Sequence, residues 1–192
     1  INMAFDSSNN KVIIAYGNGS SNAGLVVVGT VSGTSISYGT PVTIESNVTD
    51  PTPVFDSDSN KVVIVYRRGG VGKAKVGTVS GTDISLGTEA QWAAQPLFYP
   101  QGATFDSNSN KVVIGYRDAG SGNYGTAVVG TVSGTDISFG TATVFESAGS
   151  KNISPSFDST NNKVVITYTD QDNSNYGTGI VGTVSGTGIS FG

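Results

Sequence analysis

The sequence contains no cysteine and no histidine, and only 12% of its 192 residues are charged. Without cysteine it can form neither disulfides nor thiolate metal sites. Without histidine it lacks the commonest general base of enzymes. The formal net charge is −4, and the few basic side chains do not form a patch that could displace counterions from phosphates. Nucleic acid is therefore not expected as a partner.

Long apolar runs and typical helix formers are also scarce. No stretch approaches the roughly 20 apolar residues of a membrane-spanning helix, so we expect no membrane insertion. The 27 glycines stand among many Ser, Thr and Asn residues, a composition typical of β-structure with frequent tight turns. With 36% apolar residues the chain can still build a core.

Two strings recur four times along the chain. GTVSGT begins at Gly29, Gly77, Gly130 and Gly182, and an FDS…NKV…Y string begins at Phe5, Phe55, Phe105 and Phe157. Such a period is typical of units that cannot bury their own apolar surface and must pack on their neighbours. The sequence predicts one repeat domain over 1–192, with units at 1–50, 51–100, 101–152 and 153–192.

Each unit is predicted to form four antiparallel strands, A to D. Strand A ends near the Phe-Asp pair, B contains the KVVI-like segment, C ends in VSG, and D contains the ISFG-like segment and continues, in the third unit, to Phe145. Asp and Asn residues between A and B favour a tight turn, and the glycine of VSGT does so between C and D.

Strand B is apolar on both faces. In the third unit Val112, Ile114 and Tyr116 point one way, and Val113 and Gly115 point the other. Nothing in the sequence predicts helices that could cover such strands, so neighbouring sheets must do so. This predicts an all-β fold, a β-propeller of four-stranded antiparallel blades. A β-solenoid and sandwiches of two repeats each are the alternatives.

Catalysis and metal binding are not expected. The Asp-x-Asp/Asn-x-Asn strings at Asp56 and Asp106 resemble the start of a calcium loop, but the glycine and the distal glutamate are missing, which favours a hairpin turn. Because the Asp of each Phe-Asp pair recurs in every unit, it is expected to serve the fold. We predict no enzyme activity and no cofactor. A glycoside hydrolase, which needs only two carboxylates, stays an alternative.

The B–C and D–A connections vary among the units, and in a propeller they emerge on the same side. Aromatic rings beside Asn, Asp and Arg side chains are suited to sugar rings and their hydroxyls. A glycan-binding, lectin-like site is therefore a second hypothesis. The alternative for Tyr124 and Tyr176 is that they cover blade edges, and for Trp92 that it fills a gap between blades. The candidate ligand-binding residues are Arg67, Trp92, Tyr99, Arg117, Asp118, Tyr124, Asp170 and Tyr176.

Three Asn-x-Ser/Thr sequons lie in predicted loops, at Asn18, Asn47 and Asn152. They are possible glycosylation sites if the source organism glycosylates asparagine.

The FDS, KVVI-x-Y, GTVSGT and ISFG strings resemble those of tandem-repeat proteins of aquatic bacteria and their viruses, whose units of about 50 residues belong to surface or tail-fibre-like proteins. The second unit departs from the pattern through its short B–C loop and its Trp92 segment. The resemblance implies a structural or adhesive module at an extracellular, cell or virion surface, with further copies of the repeat as partners and surface glycans as possible ligands.

Overall fold

Antiparallel strands form four successive sheets in the computed structural model, which describes residues 1–97 and 102–192. The first sheet contains β1 (Asn2–Asp6), β2 (Lys11–Asn18), β3 (Ala23–Ser32), β4 (Ser35–Tyr38) and β5 (Val42–Ser46). The second contains β6 (Val48–Asp56), β7 (Lys61–Arg68), β8 (Val71–Ser80), β9 (Asp83–Leu86) and β10 (Ala90–Ala93). The fold is all-β, as predicted, and none of the sheets formed by the described residues closes on itself.

The third and fourth sheets share one long strand. The third contains β11 (Gly102–Asp106), β12 (Lys111–Asp118), β13 (Tyr124–Ser133), β14 (Asp136–Phe139) and the first part of β15 (Thr143–Asp158). The fourth contains the rest of β15 with β16 (Lys163–Asp170), β17 (Tyr176–Ser185) and β18 (Gly188–Phe191). A short 3-10 helix, Ala119–Ser121, lies between β12 and β13. Strands β6 and β15 both cross predicted unit boundaries.

Within each of the first three sheets, two strands share the outer edge of the third strand. In the third sheet β14 pairs with the lower half of β13, from Gly130 to Ser133, and β15 pairs with the upper half, from Tyr124 to Ala127. The prediction that strand D continues to Phe145 is therefore wrong. Gly140 ends β14 by donating its N–H to the carbonyl of Val129 at 2.9 Å, and Phe145 lies on the next strand.

The turn between the first and second strands is built around an aspartate. In the second sheet, one carboxylate oxygen of Asp56 accepts hydrogen bonds from the backbone N–H groups of Asp58 and Ser59, both at 3.0 Å. Asn60 completes the turn at a φ of 53°, a left-handed conformation that asparagine tolerates. Asp6, Asp106 and Asp158 make the same turn. This confirms the predicted hairpin turn.

The second and third sheets pack against a neighbour on both faces, which we call front and back. The front face contacts the preceding sheet; in the third sheet it carries Ile114 and Tyr116, which pack with Trp92. The back face contacts the following sheet; there Val113 packs with Ile166 of the fourth sheet. Val113 is completely buried, so strand B is covered on both sides, as predicted. Corresponding residues of the first and second sheets form a third apolar interface.

The repeated glycines bring the backbones of adjacent sheets together. A Cβ atom added to Gly87 would lie 2.0 Å from the carbonyl oxygen of Thr135 in the next GTVSGT string. Gly39 and Gly140 approach the corresponding threonines, Thr82 and Thr187, just as closely. The recurrence of these strings therefore has a structural cause, because each unit supplies one surface of a repeated contact.

Candidate functional site

The B–C loops and D–A segments meet on one rim of the molecule, which we call the loop rim. Backbone hydrogen bonds join them. The N–H of Val48 donates to the backbone carbonyl of Asn22, and the N–H of Ser150 donates to that of Asn123, both at 3.1 Å. In the second sheet, Leu97 donates to Gly70 at 2.8 Å. The sequence correctly placed these variable segments on the same side.

Arg67 and Arg117 occupy equivalent ends of β7 and β12 and are half-buried. Arg67 donates to the hydroxyl of Thr49 at 2.9 Å and to the carbonyl of Leu97 at 3.0 Å, and its guanidinium lies 4.0 Å from the carboxylate of Asp50. Arg67 thus ties a D–A segment to the second sheet.

Asp118 and Asp170 organise the loops that follow them. Asp118 accepts from the N–H of Gly120 at 2.9 Å and from the hydroxyl of Ser121 at 3.0 Å. Asp170 accepts from the N–H groups of Asp172 and Asn173. Both carboxylates hold local backbone turns, a common role of aspartate in loops.

The aromatic candidates are dispersed. Trp92 is only 5% exposed; its indole N–H donates to the carbonyl of Lys73 at 2.8 Å and its ring meets Tyr116 edge-on at 5.0 Å. It fills the gap between the second and third sheets, so its ring is not displayed on the loop rim. Tyr124 is half-buried at the start of β13, whereas Tyr176 is 64% exposed at the start of β17. Tyr99 lies outside the described residues.

The three sequons differ in accessibility. Asn47 and Asn152 are exposed and have positive φ angles of 55° and 51°. Asn18 is half-buried, and its side-chain oxygen accepts from the N–H of Ser20 at 3.0 Å. Asn152 donates to the hydroxyl of Thr169 at 3.3 Å. Their use as glycosylation sites stays a prediction.

A charged cluster between the first two sheets was not predicted. Arg68 lies 3.2 Å from Glu89 and 3.7 Å from Glu45. Lys73 lies 3.4 Å from Glu89, and Lys75 lies 2.9 Å from Glu45. The hydrogen bond from Lys75 lowers the pKa of the Glu45 carboxyl. The cations come from one sheet and Glu45 from its neighbour, so the pairing depends on which sheets are adjacent.

Two buried tyrosines donate to glutamates of the D–A segments. Tyr66 donates to Glu89 at 2.8 Å, and Tyr168 donates to Glu146 at 3.0 Å. Burial, reinforced by the adjacent carboxylate, raises the pKa of both phenols, that of Tyr168 to about 12. Neither phenol is therefore disposed to ionise near neutral pH.

The first strands of all four sheets border one cavity of about 290 Å³. Asn2 comes from the first sheet, Thr52 from the second, and Gly102 and Ala103 from the third. The fourth sheet supplies Asn152, Ile153, Ser154 and Pro155. Residues with amide and hydroxyl groups are thus part of the lining of this cavity, and Asn2 donates to the hydroxyl of Thr52 at 3.2 Å. None of the candidate ligand-binding residues taken from the sequence lines it, whereas the sequon residue Asn152 does.

The described residues contain no group of three or more acidic side chains that could hold a metal ion. The same part of the chain has no helix long and apolar enough to cross a membrane.

No family model and no curated protein matches the chain. Solved structures share its fold, among them two of NanB. The NanB sialidase of Streptococcus pneumoniae in complex with 2-[(3-chlorobenzyl)ammonio]ethanesulfonate matches with a TM-score of 0.65 and 17% identity. NanB with Optactamide matches with a TM-score of 0.66 and 16% identity. In both, the match covers 88% of this chain but only 27% of the sialidase chain. At such identity the likeness concerns the fold alone, an all-β arrangement of antiparallel sheets.

Proposed function

We propose that the four sheets are blades arranged around a common axis, as in a β-propeller, and that the protein is a non-enzymatic structural or adhesive module. Stacked sheets lie about 10 Å apart, so in a straight stack the first and fourth would be separated by about 30 Å. A cavity of about 290 Å³ bordered by both favours a radial arrangement. The fold shared with part of NanB supports the same reading.

The structural role is supported chiefly by how the repeated polar residues are used. The turn aspartates bond to their own loops, and Lys11, Lys61 and Lys163 each donate to the first threonine of a GTVSGT string at 2.9 Å. The repeated glycines lie against the following sheet. These residues therefore hold strands and sheets together rather than gathering reactive groups in one place.

The arrangement offers poor support for hydrolysis of glycosides. Glu45 and Glu89 converge on Arg68, but both carboxylates are ion-paired, and the lowered pKa of Glu45 disfavours the protonated form that a general acid needs. Tyr66 is fully buried with a raised pKa, so it is unsuited to act as a nucleophile.

Glycan binding is the second candidate, and the cavity bordered by all four first strands favours it. Asn2, Thr52, Asn152 and Ser154 present the amide and hydroxyl groups that hydrogen-bond sugars. The ligand-binding residues proposed from the sequence do not line this cavity; of the residues singled out there, only the sequon residue Asn152 does. An extracellular or virion-surface location stays a prediction from the resemblance.

The front face of the first sheet and the back face of the fourth expose apolar side chains that further copies of the repeat would cover. On the front face of the first sheet, Phe5 is 56% and Tyr38 57% exposed, whereas their counterparts Phe55 and Leu86 pack into the interface with the first sheet. On the back face of the fourth sheet, Val181 is 49% exposed, whereas its counterpart Val129 is buried. Apolar faces of this kind mark contact surfaces.

Sedimentation velocity, a panel of fluorogenic glycosides including sialosides, and a glycan array test these roles. We expect concentration-dependent self-association, loss of that association in Phe5→Ser, and no glycoside turnover. Tyr176→Ser, which removes an exposed aromatic ring from the loop rim, is the matched control and should associate normally.

Turnover abolished by Glu89→Gln in a folded protein would show an enzyme. Glycan binding lost in Asn2→Ala would favour the lectin role.

A further inference from the structure

The chain turns from β2 into β3 through the dipeptide Asn18-Gly19. Every other asparagine in the sequence is followed by a residue that has a side chain. Asn18 is the last residue of β2 and pairs with Ala23 on β3, whereas Gly19 and Ser20 are exposed. This loop therefore gives an asparagine the least hindered neighbour along the chain and leaves that neighbour open to water.

An asparagine side chain reacts with the backbone of the next residue when the two can meet. The backbone nitrogen of that residue attacks the side-chain amide carbon and closes a succinimide ring, and a side chain on the attacking residue hinders the approach. Glycine has no side chain and adopts backbone conformations that other residues do not. A Cβ atom added to Gly19 would meet nothing within 4 Å, so neighbouring groups do not obstruct the ring closure either.

A hydrogen bond holds the side chain of Asn18 over its own loop. Its Oδ1 accepts from the backbone N–H of Ser20 at 3.0 Å. This bond closes an Asx turn, which bends the side-chain amide back toward the peptide that contains the Gly19 nitrogen. The bond also withdraws electron density from the amide carbonyl. Both effects favour attack on the amide carbon.

The equivalent position carries an aspartate in the third and fourth units. Asp118 and Asp170 also end the second strands of their sheets, and each accepts from the N–H two residues ahead, at 2.9 Å and 3.1 Å, respectively. A carboxylate at position 18 would therefore accept the N–H of Ser20 as the amide oxygen does. A loop of this type accommodates an aspartate at the place of the asparagine.

We propose that Asn18 is a site of spontaneous deamidation, with Gly19 as the attacking residue. The bond between the Gly19 nitrogen and Cγ of Asn18 forms, the bond between Cγ and Nδ2 breaks, and Nδ2 leaves as ammonia with the proton that the Gly19 nitrogen gives up. Water then opens the ring. Cleavage at Cγ yields aspartate, and cleavage at the backbone carbonyl yields isoaspartate, in which the main chain runs through the former side chain.

Deamidation would change the loop rim in two ways. The aspartate product adds a negative charge where the third and fourth units already have one, and it lacks the nitrogen to which a glycan would be attached at this sequon. The isoaspartate product adds a methylene group to the main chain at the pair between Asn18 and Ala23, so we expect the end of that ladder to fray. This inference goes beyond the proposed function, because it concerns the covalent state of one loop.

Peptide mapping by mass spectrometry tests the inference. The full chain, produced in a host that does not glycosylate asparagine, is incubated in mildly alkaline buffer and digested at intervals. We expect Asn18 to gain the mass that replaces NH₂ by OH and to give two product peptides, one of them a substrate for isoaspartyl methyltransferase. Asn22, in the same loop but followed by Ala23, is the internal control and should remain an asparagine.

Two glycine variants test the role of the attacking residue. Gly19→Ala should slow the conversion at least about tenfold, equivalent to about 1.4 kcal/mol in the barrier, because its methyl group hinders the nitrogen. Gly17→Ala is the matched control, since Gly17 also has nothing within 4 Å of an added Cβ, and it should leave the rate unchanged. Circular dichroism establishes that both variants are folded.

Asn18→Asp tests whether the loop accommodates the aspartate product. The variant should keep the urea midpoint of the wild-type protein and the same amide hydrogen exchange along β2 and β3, and faster exchange there would overturn that accommodation.

An Asn18 that stays unchanged on incubation would overturn the inference of deamidation. Equal rates in the wild type and in Gly19→Ala, or conversion of Asn22 as fast as that of Asn18, would overturn it as well. These experiments measure neither self-association nor glycoside turnover, so the proposed function is tested separately.

Discussion

Glycine determines how closely neighbouring segments approach in this protein. Gly125 is buried beneath the ring of Phe145, and a Cβ atom added to Gly125 would lie 2.4 Å from a carbon of that ring. The equivalent Gly177 is exposed. Gly125→Ala forces the ring or the strand to move and should lower the free energy of unfolding by about 1–3 kcal/mol. Gly177→Ala adds a methyl group in open space and should change stability by no more than about 0.5 kcal/mol. Urea denaturation measures both, and equal losses would contradict the packing described.

The phenol of Tyr168 links stability to alkaline pH. Its pKa is about 12 in the folded state, against about 10 in an unfolded chain. Between these values the folded state holds more protons, so stability falls as pH rises through this window.

Tyr168→Phe removes this contribution. Between pH 9 and pH 11, the wild-type protein should lose about 1 kcal/mol more stability than the variant, whose other tyrosines are unchanged. Urea midpoints at the two pH values measure the difference. An equal loss in both proteins would show that the Tyr168 phenol ionises in the folded state as it does in the unfolded one.

The role of a residue could be predicted from the sequence where its contacts lie within a few residues along the chain. The Asp56 turn could be predicted because its bonds reach only two and three residues along the chain. The sequence leaves Trp92 with two predicted roles, a ligand contact or a gap-filler between blades, because its packing against Tyr116 requires knowing which sheets meet. The pairing of Lys75 with Glu45, 30 residues apart, gives no sequence signal for the same reason.

At the scale of strands, the two faces of strand B are the main structural signal. Val113 and Val165 occupy equivalent back-face positions on β12 and β16, but Val113 is fully buried against the fourth sheet, whereas Val165 is only half-buried. A threonine keeps the shape of valine and adds a hydroxyl. Burying it without a partner costs about 1–3 kcal/mol.

Val113→Thr should therefore destabilise the protein by about 1–3 kcal/mol, and Val165→Thr by less than about 0.5 kcal/mol. Chemical denaturation of the two variants checks this. Similar costs would mean that the fourth sheet's back face is covered in the isolated chain, contrary to the structure.

The strand pattern was predictable from alternation and turn residues, but the division of the outer edge was not. From the sequence, a segment such as TATVFES is predicted to continue strand D. Whether an apolar strand continues a sheet or starts a new pairing depends on where the chain turns, and here Gly140 ends β14 after its hydrogen bond to Val129.

At the scale of the whole molecule, the repeats predict that each sheet packs against neighbouring sheets. They do not determine whether the sheets surround a common axis or stack in a straight line. Apolar faces require neighbours in a ring and in a straight stack alike. What favours the ring is long-range: the first strands of all four sheets border one cavity. No local pattern in the sequence encodes that convergence.

The distance between the first strands of the first and fourth sheets tests the radial arrangement most directly. The natural sequence lacks cysteine, so Asn2→Cys and Ser154→Cys provide the only two sites for spin labels. Double electron–electron resonance on dilute, monomeric protein should give a mean separation well under 30 Å, because both residues border the same cavity. A separation of about 30 Å or more, the span of three sheet spacings, would contradict the arrangement of blades around an axis.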